Sequence, residues 1–183
     1  MNFDLIEPGD DLPYEINAVI EISAQGAPVK YEVDRRYGLL RIDRINCTGM
    51  RYPHNYGFVP RTLARDGDPL DIIVLTPFPL MPLSLIACRP VGILNMTDEA
   101  GSDDKIIAVP VDRVCRALTH VLTLMDLGQP ALDALQFFFE HQKALEPGKW
   151  VRFEGWGDEE SAVAVLESAA MAFVERASSR GHP

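Results

Sequence analysis

Asp66-Gly67-Asp68-Pro69-Leu70-Asp71 brings three carboxylates to the start of the apolar run Ile72-Ile73-Val74-Leu75. Gly67 and Pro69 impose a tight bend. A bend can aim Asp66, Asp68 and Asp71 at one point, whereas a straight strand would send alternate positions to opposite faces. Two carboxylates ~5 Å apart at an effective dielectric of ~20 repel by roughly 3 kcal/mol, so the cluster invites protons or cations among its charges. Asp71 stands at the mouth of an apolar strand, where an unpaired charge is costly. A solvated Asp/Gly/Pro turn would account for this stretch taken alone. A calcium loop of the EF-hand type fits worse, because Pro77 falls where its twelfth-position Glu belongs.

A second acidic group, Asp98-Glu99 with Asp103 and then Lys105, follows an apolar run ending near Met96. A polar connection through Gly101 explains that group singly, but two acidic strand-to-loop junctions against apolar strands point to one site. Alternation adds to it. Glu21 lies between Ile20 and Ile22, Lys30 and Glu32 share a face opposite Tyr31 and Val33, and Arg44 sits between Asp43 and Ile45. Each of these, alone, reads equally as an exposed strand face with a weak ion pair. Together they offer oxygens for hard cations, with Lys30, Arg44, Lys105 and Lys143 as donors to phosphate. That combination suits phosphoryl transfer to water, with Mg²⁺ as the cation, because Mg²⁺ takes oxygen ligands and paired ions can activate water.

The elements that must hold these groups are short strands broken by Pro, Gly, Asp and Asn over the first two thirds of the chain, in the style of a closed β-barrel. The patterns predict strands over Ala18–Ile22, Val29–Val33, Leu39–Ile45, Ile72–Leu75, Ala87–Leu94, Ile106–Val109 and Trp150–Glu154. Helical spacing of Leu132, Leu135, Phe138 and Phe139 predicts one amphipathic helix between His120 and Leu145. A second is predicted from about Glu159 to Arg176, where Ala162, Val165, Leu166, Ala169 and Phe173 fall on one face. From about residue 177 to Pro183 the periodicity ends, which predicts a frayed tail.

The chain has 183 residues, enough for one domain spanning 1–183. Its formal charge of −10 argues against a surface for nucleic acid, whose binding rests on Lys and Arg. Three cysteines without metal spacing suggest a reducing compartment, and the absence of a basic-then-apolar leader or a long apolar run suggests a cytoplasmic protein with no membrane partner.

The sequence resembles the family I soluble inorganic pyrophosphatases in their bacterial form. Asp66-Gly67-Asp68-Pro69-Leu70-Asp71-Ile72 fits the family's D-x-D-P-x-D pattern. Val19-Ile20-Glu21-Ile22, Pro28 to Asp34, Tyr52-Pro53-His54-Asn55-Tyr56-Gly57, Cys88 to Gly92, Met96 to Gly101 and Gly148-Lys149-Trp150-Val151 follow in order. The resemblance extends from about residue 8 to residue 176. It implies a mainly β fold with α: an OB-like five-stranded barrel with two C-terminal helices outside. It implies hydrolysis of pyrophosphate with several Mg²⁺ ions per site and assembly as a homohexamer. By similarity Asp66, Asp71, Asp98 and Asp103 hold metal, Glu21 and Glu32 act through metal-bound water, and Glu99 is counted with them. Asp68 is the general base, and Lys30, Arg44, Tyr52, Tyr56, Lys105 and Lys143 serve the phosphates. Two departures stand out: Gln142 where the family has a phosphate-binding Tyr, and Phe137 where relatives often have a subunit-bridging His. An inactive phosphate- or metal-binding module on the same fold is the alternative.

Overall fold

The computed structural model describes residues 3–180. Nine strands and two α-helices follow in the order β1 (Ile16–Ile22), β2 (Val29–Asp34), β3 (Leu39–Ile45), β4 (Asn55–Phe58), β5 (Asp71–Val74), β6 (Leu85–Asp98), β7 (Gly101–Ser102), β8 (Lys105–Pro110), α1 (Gln129–His141), β9 (Val151–Gly157) and α2 (Glu159–Arg180). Strands β1, β4, β5, β8 and β6 pair in that order, and β6 pairs back onto β1, so five strands close into a ring. The long β6 makes this possible. Its first residues pair with β1, its middle with β8, and its end with β9 and β7. Closure leaves those five strands no free edge. Strands β2 and β3 form a separate antiparallel hairpin.

Alternation in the strands feeds two cores. Ile73 of β5 joins Tyr56, Leu94 and Ile107 beneath Leu135, Phe138 and Phe139 of α1. Its neighbours Ile72 and Val74 join Ile20 and Ile106 beneath Ala162, Leu166 and Ala169 of α2. The wall is therefore buried on both faces, which fixes the direction of each side chain that leaves it.

The sequence patterns missed β4 and β7. In β4, Gly57 is required by closeness: a Cβ there would lie 1.9 Å from the Val19 carbonyl oxygen of β1. The helix expected between His120 and Leu145 is shorter, because Pro130 sets its start. Two 3₁₀ turns, Arg116–Leu118 and Leu124–Leu127, precede it, and Thr123 and Asp126 cap the latter. The frayed tail expected from about residue 177 is corrected in part. Helix α2 runs on to Arg180, with the Ser178 hydroxyl donating to the Val174 carbonyl at 2.9 Å, while 181–183 lie outside the described residues.

Candidate active site

One buried cation organises the wall. Parallel pairing of β5 with β8 sets Asp71 beside Lys105. Lys105 Nζ donates to Asp71 Oδ2 at 2.6 Å and to Asp103 Oδ1 at 2.9 Å, and it is only 3 % exposed. Tyr56 and Phe139 rings lie 5.5 and 5.7 Å from the ammonium, and the Tyr56 hydroxyl donates to the same Asp71 oxygen. Burial works against the Lys105 charge, yet Asp71 and Asp103 outweigh it and hold its pKa above the ordinary value. Tyr52 packs into this wall with its ring tilted, 4.7 Å from Phe138 and 5.1 Å from Tyr56 between ring centres.

The hairpin faces the wall. Its register sets Lys30 opposite Arg44. Lys30 Nζ reaches Glu32 at 2.5 Å and Asp43 at 3.6 Å, and Arg44 reaches Asp43 at 3.0 Å and Glu146 at 3.2 Å. Beyond α1, Lys143 donates to Asp98 Oδ2 at 2.9 Å. Burial opposes the Asp98 charge, but Lys143 and the Ala100 N–H hold its carboxyl below the usual range.

Between hairpin, wall and the Asp66–Asp68 turn lies a cavity of about 410 Å³. Asp66, Asp68, Asp71, Asp98, Asp103, Glu21, Glu32, Lys30, Arg44, Tyr52, Tyr56, Lys105, Gln142 and Lys143 all line it. Burial pushes the Glu21 carboxyl up to about 8, against the Val33 N–H that bonds it at 2.6 Å. Burial raises Asp103, and partial burial with the charges of Asp66, Glu32 and Asp71 raises Asp68. Crowded carboxylates that outnumber the lining Lys and Arg groups, offering only oxygen, fit hard divalent cations. Among the described residues no cluster of acidic, His or Cys side chains forms a ready cage; the lysines hold the carboxylates instead.

A family model described as inorganic pyrophosphatase matches residues 18–173. The inorganic pyrophosphatase of Ralstonia nicotianae is 55 % identical over 162 residues, covering 88 % of this chain and 93 % of that protein. The corresponding protein of Pseudomonas aeruginosa is 50 % identical over 173 residues, 94 % of this chain and 99 % of its own. The solved inorganic pyrophosphatase of Coxiella burnetii superposes with a TM-score of 0.89 at 48 % identity, covering 92 % of this chain and 99 % of the other. The chain belongs to the inorganic pyrophosphatase family.

Within this pyrophosphatase fold, one anticipated residue lies apart. Glu99 does not line the cavity; it pairs with Lys149 and accepts from the Trp150 N–H at 3.4 Å. Gln142 does line it, 4 % exposed, with its Oε1 buried and unpartnered among the described residues. The sequence reading missed Arg35, which lines the cavity from the end of β2 and lies 5.7 Å from the Phe58 ring. The only signal was the charged Asp34-Arg35-Arg36 turn after β2, which any solvated hairpin also carries.

Proposed function

We propose that this chain hydrolyses inorganic pyrophosphate to two phosphates in the cavity beneath the hairpin, with Asp68 as general base and Mg²⁺ as its cation. The observation that carries the reading is a cavity walled by carboxylates and supplied with Lys30, Arg44, Lys105 and Lys143 as hydrogen-bond donors to an anion. Carboxylates alone would repel a polyanion, and basic residues alone would not collect cations. A substrate that arrives as a metal–phosphate complex uses both.

Water adds to one phosphorus while the bridging P–O bond breaks and its electrons leave on the second phosphate. Asp68, which faces the cavity from the turn, takes the proton of the attacking water. Lys30, Arg44 and Lys143 hold the phosphate oxygens and spread the developing charge, while Lys105, fixed by two carboxylates, aims a cation into the cavity. Tyr56 and Tyr52 offer hydroxyls from the same wall, and Gln142 offers an amide. Asp66, Asp71, Asp98 and Asp103, with Glu21 and Glu32 behind them, would hold Mg²⁺, which supplies a Lewis acid that acidifies water and shields the electrophile.

The reading includes one domain, homohexamer assembly and a cytoplasmic setting. Exposed Phe137, Leu122, Met125 and Leu145 support an interface around α1, and three free cysteines suit a reducing compartment. No helix of the described residues is long and apolar enough to cross a membrane. The test is phosphate release from pyrophosphate in Mg²⁺ and in chelator, beside Asp68→Ala. Release that needs Mg²⁺ and is lost in the variant is the expected result. A folded wild type that binds Mg²⁺ but releases nothing would establish the binding-module alternative.

A further inference from the structure

Both polar ends of the peptide unit before Asp68 are hydrogen-bonded. The carbonyl of that unit, on Gly67, accepts from Arg176 Nη1 of α2 at 3.1 Å. Its N–H, on Asp68, donates to Asp66 Oδ1 at 3.0 Å. Packing does little here: a Cβ on Gly67 would meet nothing within 4 Å. A cavity of about 300 Å³, lined by Gly67, Asp68, Arg35, Phe173 and Arg176, lies behind the turn. Gly67 also stands at φ 93°, a conformation that glycine adopts readily and other residues rarely do. The Ala64 N–H donates to the Asp68 carbonyl at 2.7 Å and the Gly67 N–H to the Ala64 carbonyl at 3.1 Å, so hydrogen bonds hold the turn on both sides of Asp68, and Arg176 is the side chain that reaches it from α2.

The holder on the far side is well founded. Ala162, Leu166 and Ala169 bury α2 against the barrel, and the Leu63 N–H donates to the Ala169 carbonyl at 2.9 Å, tying the loop before the turn to the same helix. Arg176 itself is exposed and does not line the active cavity.

We propose that Arg176 is a positioning residue for Asp68: it fixes the Gly67–Asp68 peptide from behind and thereby sets the direction of the base. This rests on Asp68 acting as base. Misdirection of a reacting group by about 1 Å can cost on the order of a hundredfold in rate. Arg176→Ala should therefore lower kcat roughly tenfold or more while KM stays within about twofold. Arg176→Lys keeps a donor on that helix face and should recover most of the loss.

The experiment measures kcat, KM and the unfolding midpoint of Arg176→Ala, Arg176→Lys, Asp68→Ala and the Arg176→Ala/Asp68→Ala double variant, in Mg²⁺ with pyrophosphate. In the double variant Arg176→Ala should remove nothing further, because no base remains to be aimed. Unchanged kcat in a folded Arg176→Ala enzyme, or an equal fall in both backgrounds, overturns the positioning role and leaves the base assignment standing. Near-normal turnover by Asp68→Ala overturns both.

Discussion

The turn Asp66–Asp68 and the wall formed by Asp71, Asp103 and Lys105 offer the same carboxylate chemistry to one cavity, but they are built differently. Asp71 and Lys105 leave paired strands of a closed ring, with Ile72 and Ile106 fully buried beside them. Asp66 and Asp68 leave an exposed turn held by hydrogen bonds to Arg176, to the Ala64 backbone and to its own Asp66. The wall is specified by packing, the turn by a few polar contacts. Groups that must keep fixed spacings suit the first. The base on the turn depends for its aim on those few contacts, because a small movement there changes its reach without disturbing the core.

The largest test of that division is Asp68→Ala. It should lower kcat by about 10²- to 10⁴-fold, in the range of lost general-base catalysis, while stability changes by no more than ~0.5 kcal/mol. Steady-state phosphate release and urea unfolding of the same preparation read both. A large stability loss would show that the turn is structural after all.

Lys105→Met should invert the pattern. It leaves Asp71 and Asp103 without their buried cation, and breaking such an arrangement costs about 3–5 kcal/mol. Added Mg²⁺ should raise the unfolding midpoint of the variant more than that of wild type, because the cation then replaces the missing charge. Equal shifts would mean that the carboxylates of the wall do not hold the ion.

Much of this contrast was legible in the residues. The acidic strand-to-loop junctions, Lys30 with Glu32 and the apolar runs of β5 and β8 all announce themselves through spacing. Strand β4 did not, because Asn55-Tyr56-Gly57-Phe58 has no alternation and its glycine answers to the neighbouring strand. Glu99 was misplaced for a related reason. Adjacent carboxylates at a strand end turn different ways, so Asp98 meets Lys143 inside while Glu99 meets Lys149 outside. The support from Arg176 depends on a contact spanning 109 residues that no local pattern encodes.

Gly57→Ala sharpens the wall half of the comparison. The added methyl would press on the backbone of β1, which cannot yield as a side chain can, so destabilisation of about 1–3 kcal/mol is expected. Because Tyr56 precedes it and reaches Asp71, activity should fall along with stability. A chemical-denaturation midpoint matching wild type would show that the ring has slack.

The smallest effect belongs to a carboxylate that serves neither region. Asp126 accepts from the N–H groups of Leu122 and Thr123 at 2.9 and 2.8 Å, and from the Thr123 hydroxyl at 3.0 Å, just before α1. Those bonds hold its pKa below the ordinary 3.8. An acid whose folded pKa is lowered stabilises the fold above its unfolded pKa and loses that contribution as pH falls through the folded one. Asp126→Ala should therefore lower the thermal midpoint slightly at about pH 7, and the gap to wild type should narrow as pH falls below the ordinary carboxylate range. Turnover by the folded variant near neutral pH should match wild type. A gap that persists in acid would assign the loss to side-chain packing instead of the ionised cap.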